Sequence, residues 1–278
     1  MTTVTLLHPG DMGSAVGEQA RRIGTRVLWV LTGRSASTKA RAEAAGLTPA
    51  PNLASALAES DIVLSICPPA AAEDVAGLVA SHDFHGIYVD ANAISPQRMQ
   101  RIAAHLETCG AVPVDGSIFG PPPRGTKTAR LYLAGPATAV HRVESLFTGT
   151  QVTPQILNKP LGSASALKMA FAGYQKAARA LATVSHALAQ EHGVTEELTA
   201  EGRTMAAAIL ADVDYLPSVA ARAWRWAPEM QEVADSLKAA GLPSDLAKAA
   251  NSTLSRWNQD KDNFDLSFPE VLEHLRSS

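Results

Sequence analysis

The chain has 278 residues, of which 46% are hydrophobic and 18% charged, with a formal net charge of −3. That length can bury a core in each of two domains, and the apolar content excludes a disordered polymer. The weak negative charge offers no field for nucleic acid, no Lys/Arg block suits an anionic membrane and no apolar run would span a bilayer. Cys67 and Cys109 stand far apart without metal-like spacing, and His82 and His85 flank Asp83 in a polar loop that reads as solvated. The start of the chain lacks a secretory pattern, so a cytoplasmic protein is expected, with no nucleic-acid, membrane or metal partner.

The first predicted element is a short strand containing Val4, Leu6 and Leu7, followed by the turn His8-Pro9-Gly10-Asp11-Met12-Gly13. A helix comes next, with Met12, Ala15, Val16, Ala20 and Ile23 on one face, Arg21 and Arg22 in its last turn, and Gly24 suited to its C-terminal cap. Strand, turn and helix in this order match the dinucleotide fingerprint, in which glycines make the tight turn, admit the pyrophosphate and let helix pack on strand. Gly10 and Gly13 fill the last two glycine places. His8 stands at the first, so a residue with a side chain must make that turn. Pro9, Gly10, Asp11, Met12 and Gly13 are candidate cofactor-binding residues, although an ordinary strand-to-helix turn has the same outline.

A second strand, Arg26 to Leu31, ends in Thr32-Gly33-Arg34-Ser35. An acid about 20 residues past the glycines would bind the ribose hydroxyls of NAD. None occurs between Glu18 and Glu43, while Gly33, Arg34 and Ser35 begin a stretch of cations and hydroxyls suited to a 2′-phosphate, so NADP(H) is the expected cofactor. Ser35 or Ser37 also suits the cap of a helix over Thr38 to Ala45, and both roles can coexist.

Strands are predicted at Ile62 to Ile66, Ile87 to Val89, Val112 to Val114 and Leu131 to Ala134, with helices over Ala70 to Val79 and Pro96 to Leu106. The alternation implies an α/β, Rossmann-like, doubly wound parallel sheet whose cleft is lined by loops at the carboxyl ends of the strands. Three such loops stand out: Cys67-Pro68-Pro69, Asp90 to Pro96 with Asn92, and Asp115 to Pro123. Beyond Pro160 the pattern becomes all-α, which divides the chain into a cofactor domain, 1–160, and a helical substrate and dimerisation domain, 161–278. From Ala164 to Leu188 two apolar stripes run along one helix, the first through Leu167, Phe171, Tyr174, Leu181 and Leu188, the second through Ala166, Ala170, Ala180 and Val184. Apolarity on two faces predicts burial against neighbouring helices or another protomer. Lys168 lies off the first stripe, where a lysine commonly snorkels to solvent. Further helices are expected over Glu196 to Ala211, from Pro228 as a first-turn residue to Ala240, over Ser244 to Trp257, and after Phe268.

Together these motifs resemble those of the β-hydroxyacid dehydrogenases, the family of 3-hydroxyisobutyrate and 6-phosphogluconate dehydrogenases. Gly10 and Gly13 match its cofactor loop, and Gly33-Arg34-Ser35 is similar to the Asn-Arg-Ser/Thr of NADP-using members. Asn92 to Pro96 resembles the Ser-Thr-Ile-Ser-Pro segment near the nicotinamide. Asp115 to Pro121 resembles the substrate signature Asp-x-x-x-Ser-Gly-Gly, and Gly162 to Lys168 the Gly-x-Gly-x-x-x-Lys segment that carries the catalytic lysine. The resemblance implies an NADPH-dependent oxidoreductase acting between a carbonyl and an alcohol. Lys168 would handle the proton, oxidation would be favoured at alkaline pH, and Tyr174 would be the next catalytic candidate. Asn92, Ser117, Ile118, Phe119, Gly120 and Lys168 would bind a small-molecule substrate, and the helical domain would form a homodimer. Phe119 replaces the signature serine, Pro121 a glycine, and Phe171 and Ala172 the asparagines that follow the lysine, which implies a less polar or bulkier substrate and a subgroup with its own helical C-terminal domain. Arg124 is a candidate carboxylate partner in their place. Two alternatives remain: an imine reductase, whose relatives usually place Asp or Tyr at the lysine position, and a non-catalytic NADPH-binding sensor.

Overall fold

A computed structural model describes residues 2–205 and 208–276, in two compact units, Met1–Lys168 and Met169–Ser278. The first unit is built on one eight-stranded sheet: β1 (Thr3–Leu7), β2 (Arg26–Val30), β3 (Thr48–Ala50), β4 (Ile62–Ser65), β5 (Ile87–Asp90), β6 (Val112–Phe119), β7 (Ala129–Ala134) and β8 (Val152–Ile156), in the order β3-β2-β1-β4-β5-β6-β7-β8. All neighbours are parallel except β6 and β7, which form an antiparallel pair. Its helices are α1 (Asp11–Arg22), α2 (Ala36–Ala44), α3 (Leu53–Ala58), α4 (Ala72–Ala80), α5 (Pro96–Glu107) and α6 (Ala137–Ser145).

Every residue of β1, β4 and β5 is buried, as a parallel sheet covered on both faces requires. Alternate side chains go to opposite layers: Leu6, Leu64 and Val89 pack with Val16 and Ala20 of α1, while Leu7, Val63 and Tyr88 pack with Val79 of α4 and Met99 and Ile102 of α5. The strand order reverses at β1, which has β2 on one side and β4 on the other, and a ligand crevice forms at the carboxyl ends beside such a reversal.

Several elements depart from expectation. β3 and β8, at the two edges of the sheet, each carry a proline, Pro49 and Pro154, which masks their strand character in the sequence. The Leu31 N–H donates to Ala50 O and the Leu157 N–H to Leu133 O, so Thr48 and Ala50 face β2 and Thr153 and Gln155 face β7. Pro49 and Pro154 therefore fall on the outward side of their strands. β6 continues through Phe119, across Asp115-Gly116-Ser117, which reads as loop chemistry; these polar residues are buried because their side chains bond the start of the next long helix.

That helix, α7 (Ser163–Glu191), begins in the first unit and continues into the second, which also holds α8 (Thr195–Thr204), α9 (Ala208–Ala211), α10 (Leu216–Ala239), α11 (Asp245–Leu254) and α12 (Phe268–Arg276). The helix predicted over Glu196 to Ala211 crosses 206–207, which lie outside the described residues. The face of α7 that is buried is centred on Ala172, Lys176, Ala180 and Thr183, of which Ala180 alone belongs to a predicted stripe. Lys176 pairs there with Glu229 of α10 beside the Trp226 ring, 5.6 Å away, so tertiary pairing rather than apolarity selects this face. Phe171, Tyr174, Leu181 and Leu188 are exposed in the single chain. Pro228 lies inside α10 instead of opening it; Pro217 holds the first-turn place. A mid-helix proline costs roughly 3 kcal/mol, and the burial of Trp226, Ala227 and Met230 around it offsets that cost. Trp257, also buried, donates to Val271 O at 2.9 Å and ties the segment after α11 to α12.

Candidate cofactor and active site

The glycine turn ends β1 and starts α1. His8 adopts φ 64, the left-handed region that a glycine would occupy without cost. Gly10 N–H donates to His8 O at 2.7 Å, and a Cβ on Gly13 would lie 2.6 Å from the same oxygen, so Gly13 admits no side chain. No side chain caps α1, which leaves its first N–H groups available to an anion. Pro9 completes the turn, and Asp11 and Met12 are the first residues of the helix.

The loop after β2 places Gly33 at φ 75 and Arg34 half-buried behind it. Arg34 Nε and His8 Nδ1 are buried without a hydrogen-bond partner. Burial, with the Arg34 charge nearby, pushes the His8 pKa down to about 4, and burial lowers that of Arg34 as well. Two orphaned donors or acceptors beside a glycine cradle fit a polar, anionic ligand, so these residues suit a dinucleotide. Ser35 caps α2 through Thr38 N–H at 3.3 Å, and Ser37 lies 3.0 Å from its hydroxyl.

At the carboxyl ends of β4 and β5 a buried network joins two of the predicted loops. Asn92 Oδ1 accepts from Cys67 N–H at 2.6 Å, Asn92 Nδ2 donates to Asp90 Oδ2 at 3.0 Å and to Ser65 Oγ at 3.2 Å, and Asn92 N–H donates to Asp90 Oδ1 at 3.0 Å. The Asn92 side chain is thus a brace between the loops, and any ligand contact from it would be secondary. Burial raises the Asp90 pKa to about 7, against the lowering effect of its bonds to Asn92, and burial pushes the Cys67 thiol up to about 11. Pro68 and Pro69 lead from Cys67 into a single 3₁₀ turn, Pro69–Ala71.

The third group lies at the end of β6. Asp115, fully buried, accepts from Ala164 N–H at 2.8 Å, Ser165 N–H at 3.1 Å and Ser165 Oγ at 2.7 Å. Ser117 Oγ donates to Ala164 O at 2.8 Å. Gly162, at φ 95 against Pro96, makes the turn into α7 that these bonds require. Lys168 follows on α7, and with the helix start pinned its Nζ donates to Ile118 O at 2.7 Å and lies 4.7 Å from the Phe119 ring centroid. Phe119 is buried edge-on against Tyr132, and Gly120, at φ 114, leaves no room for a Cβ beside Thr128 O. The structure thus brings Ser117, Ile118, Phe119, Gly120 and Lys168 together in the first unit. Tyr174 belongs to the second unit, 70% exposed.

Two features escaped the sequence reading. Asp115 is the anchor of α7, a role that its position in an apolar strand context could have signalled. Arg124, the candidate carboxylate partner, pairs with a carboxylate of the chain itself: Nη1 donates to Asp11 Oδ1 at 2.5 Å, and Nη2 to Asp11 O at 2.9 Å and Ser14 Oγ at 2.7 Å, on the first turn of α1. No group of three His, Cys, Asp or Glu side chains able to hold a metal occurs among the described residues, and no helix among them is long and apolar enough to cross a membrane.

Residues 3–154 match the family model described as the NAD binding domain of 6-phosphogluconate dehydrogenase, and residues 189–257 match a domain of unknown function, DUF1932. Comparison with curated protein sequences gave no match. Among solved structures, the conserved protein MTH1747, of unknown function but described as structurally similar to 3-hydroxyacid dehydrogenases, is 25% identical, with TM-score 0.69 over 93% of this chain and 98% of that one. The Mycobacterium tuberculosis 3-hydroxyisobutyrate dehydrogenase with L-serine is 18% identical, with TM-score 0.77 over the whole of both chains. An imine reductase from Bacillus cereus is 18% identical, with TM-score 0.60 over the whole of both chains. These last two share the fold. With its first 150 or so residues matched to that NAD-binding domain, and the glycine cradle in place, the chain belongs to the β-hydroxyacid dehydrogenase family of NAD(P)-binding dehydrogenases and reductases.

Proposed function

We propose that this chain is an NADPH-dependent oxidoreductase that moves hydride between the nicotinamide and a carbonyl or alcohol carbon of a small, β-hydroxy acid-like molecule. The observation that carries the reading is Lys168, fixed on Ile118 O and the Phe119 ring at the end of β6 by a helix whose start is itself anchored. Bound NADPH would supply the hydride. The chain's own task is to hold the reactants and manage the proton. An ammonium at Lys168 stabilises an alkoxide as it develops and then protonates it; in the opposite direction the neutral amine accepts the proton of the alcohol. Tyr174 is the second candidate for that role. Ser117 and Asn92 shape the substrate place as braces, because their polar atoms are engaged, while Ile118, Phe119 and Gly120 give it an apolar wall.

Arg34, with its unpartnered Nε, together with the absence of an acid between Glu18 and Glu43, supports NADPH over NADH. The exposed Phe171, Tyr174, Leu181 and Leu188 on α7 support a homodimer through the helical unit, and the free thiols Cys67 and Cys109 fit the cytoplasm. The aromatic wall at Phe119 favours one second reading, reduction of a cyclic imine. A panel of β-hydroxy acids, aldehydes and cyclic imines, followed by nicotinamide absorbance, separates the readings. Turnover of an aldehyde or hydroxy acid supports the proposal, turnover of imines alone moves it to the second reading, and NADPH binding without any turnover makes the chain a cofactor sensor.

A further inference from the structure

The strap between β6 and β7 ends at the cofactor helix. Gly120 at φ 114 and the run Pro121-Pro122-Pro123 stiffen it. Gln19, buried on α1, donates to Pro123 O at 3.0 Å and to Gln151 Oε1 at 3.1 Å, while Gln151 Nε2 donates to Gly125 O. The strap is therefore fastened on both sides of Arg124, and the guanidinium arrives already ordered on Asp11 and Ser14.

This placement answers an electrostatic difficulty. Asp11, 69% exposed, puts a carboxylate on the first turn of α1, where the uncapped N–H groups and the helix dipole would receive the phosphates of a dinucleotide. Unbalanced, it would repel them. Arg124 balances it with a charge-assisted bond, and of its five N–H donors the contacts above use three, leaving Nε–H and one Nη1–H for another acceptor.

We propose that Arg124 is a cofactor-binding residue: seated on Asp11 and Ser14, its guanidinium neutralises Asp11 and donates to the pyrophosphate of the bound dinucleotide, making the β6–β7 strap part of the phosphate site. The inference rests on the dinucleotide reading of the glycine turn, and not on the substrate or on the choice between NADPH and NADH. Binding of NADPH and of NADH to the whole protein, followed by quenching of tryptophan fluorescence or by calorimetry, tests it. Arg124→Gln should weaken both cofactors by the same factor, about tenfold to a hundredfold for a lost charge-assisted bond, and should flatten the dependence of affinity on salt. Asp11→Asn keeps an acceptor oxygen and the backbone carbonyl for the guanidinium while removing the repulsive charge, so it should tighten both cofactors.

Equal weakening by Asp11→Asn and Arg124→Gln would make the pair a structural latch and overturn the proposal. So would an Arg124→Gln affinity unchanged for both cofactors, or a loss confined to NADPH, which would assign Arg124 to the 2′-phosphate. Should Arg124→Gln fail to fold, Arg124→Lys keeps the charge but loses the fork, and must still weaken both cofactors equally. A parent that binds neither cofactor would overturn the dinucleotide reading itself, a result distinct from the others.

Discussion

At the glycine turn a histidine holds a conformation that glycine adopts freely, at a cost of roughly 1–2 kcal/mol for a residue with a Cβ. His8 is also held neutral, with its pKa at about 4 in the fold against 6.5 when exposed. A base with a depressed folded pKa contributes stability that is present above pH 6.5 and is lost as pH falls towards 4, because the unfolded chain then binds the extra proton. His8→Gly relieves both burdens, so its melting temperature relative to the parent should rise between pH 7 and pH 5. Parallel melting curves would show that the imidazole is not a source of the acid sensitivity. For Arg34→Ala we expect NADPH to bind about 1.5–3 kcal/mol more weakly while NADH is unaffected, as for loss of a bond to a phosphate. Equal parent affinities for the two cofactors would refute the preference. Lys168→Ala should keep NADPH binding and lose about 10² to 10⁴ in turnover on a proven substrate. If turnover survives, Tyr174 is the residue to replace next.

At the scale of elements, the start of α7 and the end of β6 behave as one piece, because Asp115 satisfies two backbone N–H groups and a hydroxyl that are otherwise buried without partners. Asp115→Ala should cost about 3 kcal/mol or more in denaturant unfolding, and should lower kcat more than it raises KM, since Lys168 loses its register. A variant as stable as the parent would mean that water replaces the carboxylate. This coupling also shows which parts of the site can be read in one dimension. The glycine turn is legible because strand, turn and helix form a local motif with a fixed spacing, and Arg34 and Lys168 are proposed from short segments that resemble the family's own. Asp115 and Arg124 are not legible in that way, since their partners, Ala164 and Asp11, lie far away in the chain. The central strands β1, β4 and β5 are legible as short apolar runs, whereas the edge strands β3 and β8 contain prolines and half-exposed polar residues. Pro228 misleads for another reason: local propensity opens a helix there, but packing around Trp226 and Met230 carries α10 through it.

For the whole molecule, the exposed residues along α7 set the expectation of assembly. Leu181 and Leu188, 67% and 63% exposed in the single chain, would be covered by a second copy. The parent should scatter light as a dimer at micromolar concentration, and Leu181→Glu with Leu188→Glu should yield a folded monomer. A monomeric parent would remove this expectation.

The outward prolines of β3 and β8 decide how such assembly can proceed. A sheet whose rims present regular rows of donors and acceptors can be templated by a partly unfolded neighbour, strand upon strand, towards fibrils. Here each rim lacks an amide hydrogen in the middle of its outer row, at Pro49 and at Pro154. Growth of the sheet beyond itself is interrupted at both ends, so the helix-to-helix dimer proposed above would form without the strands of one copy recruiting those of another.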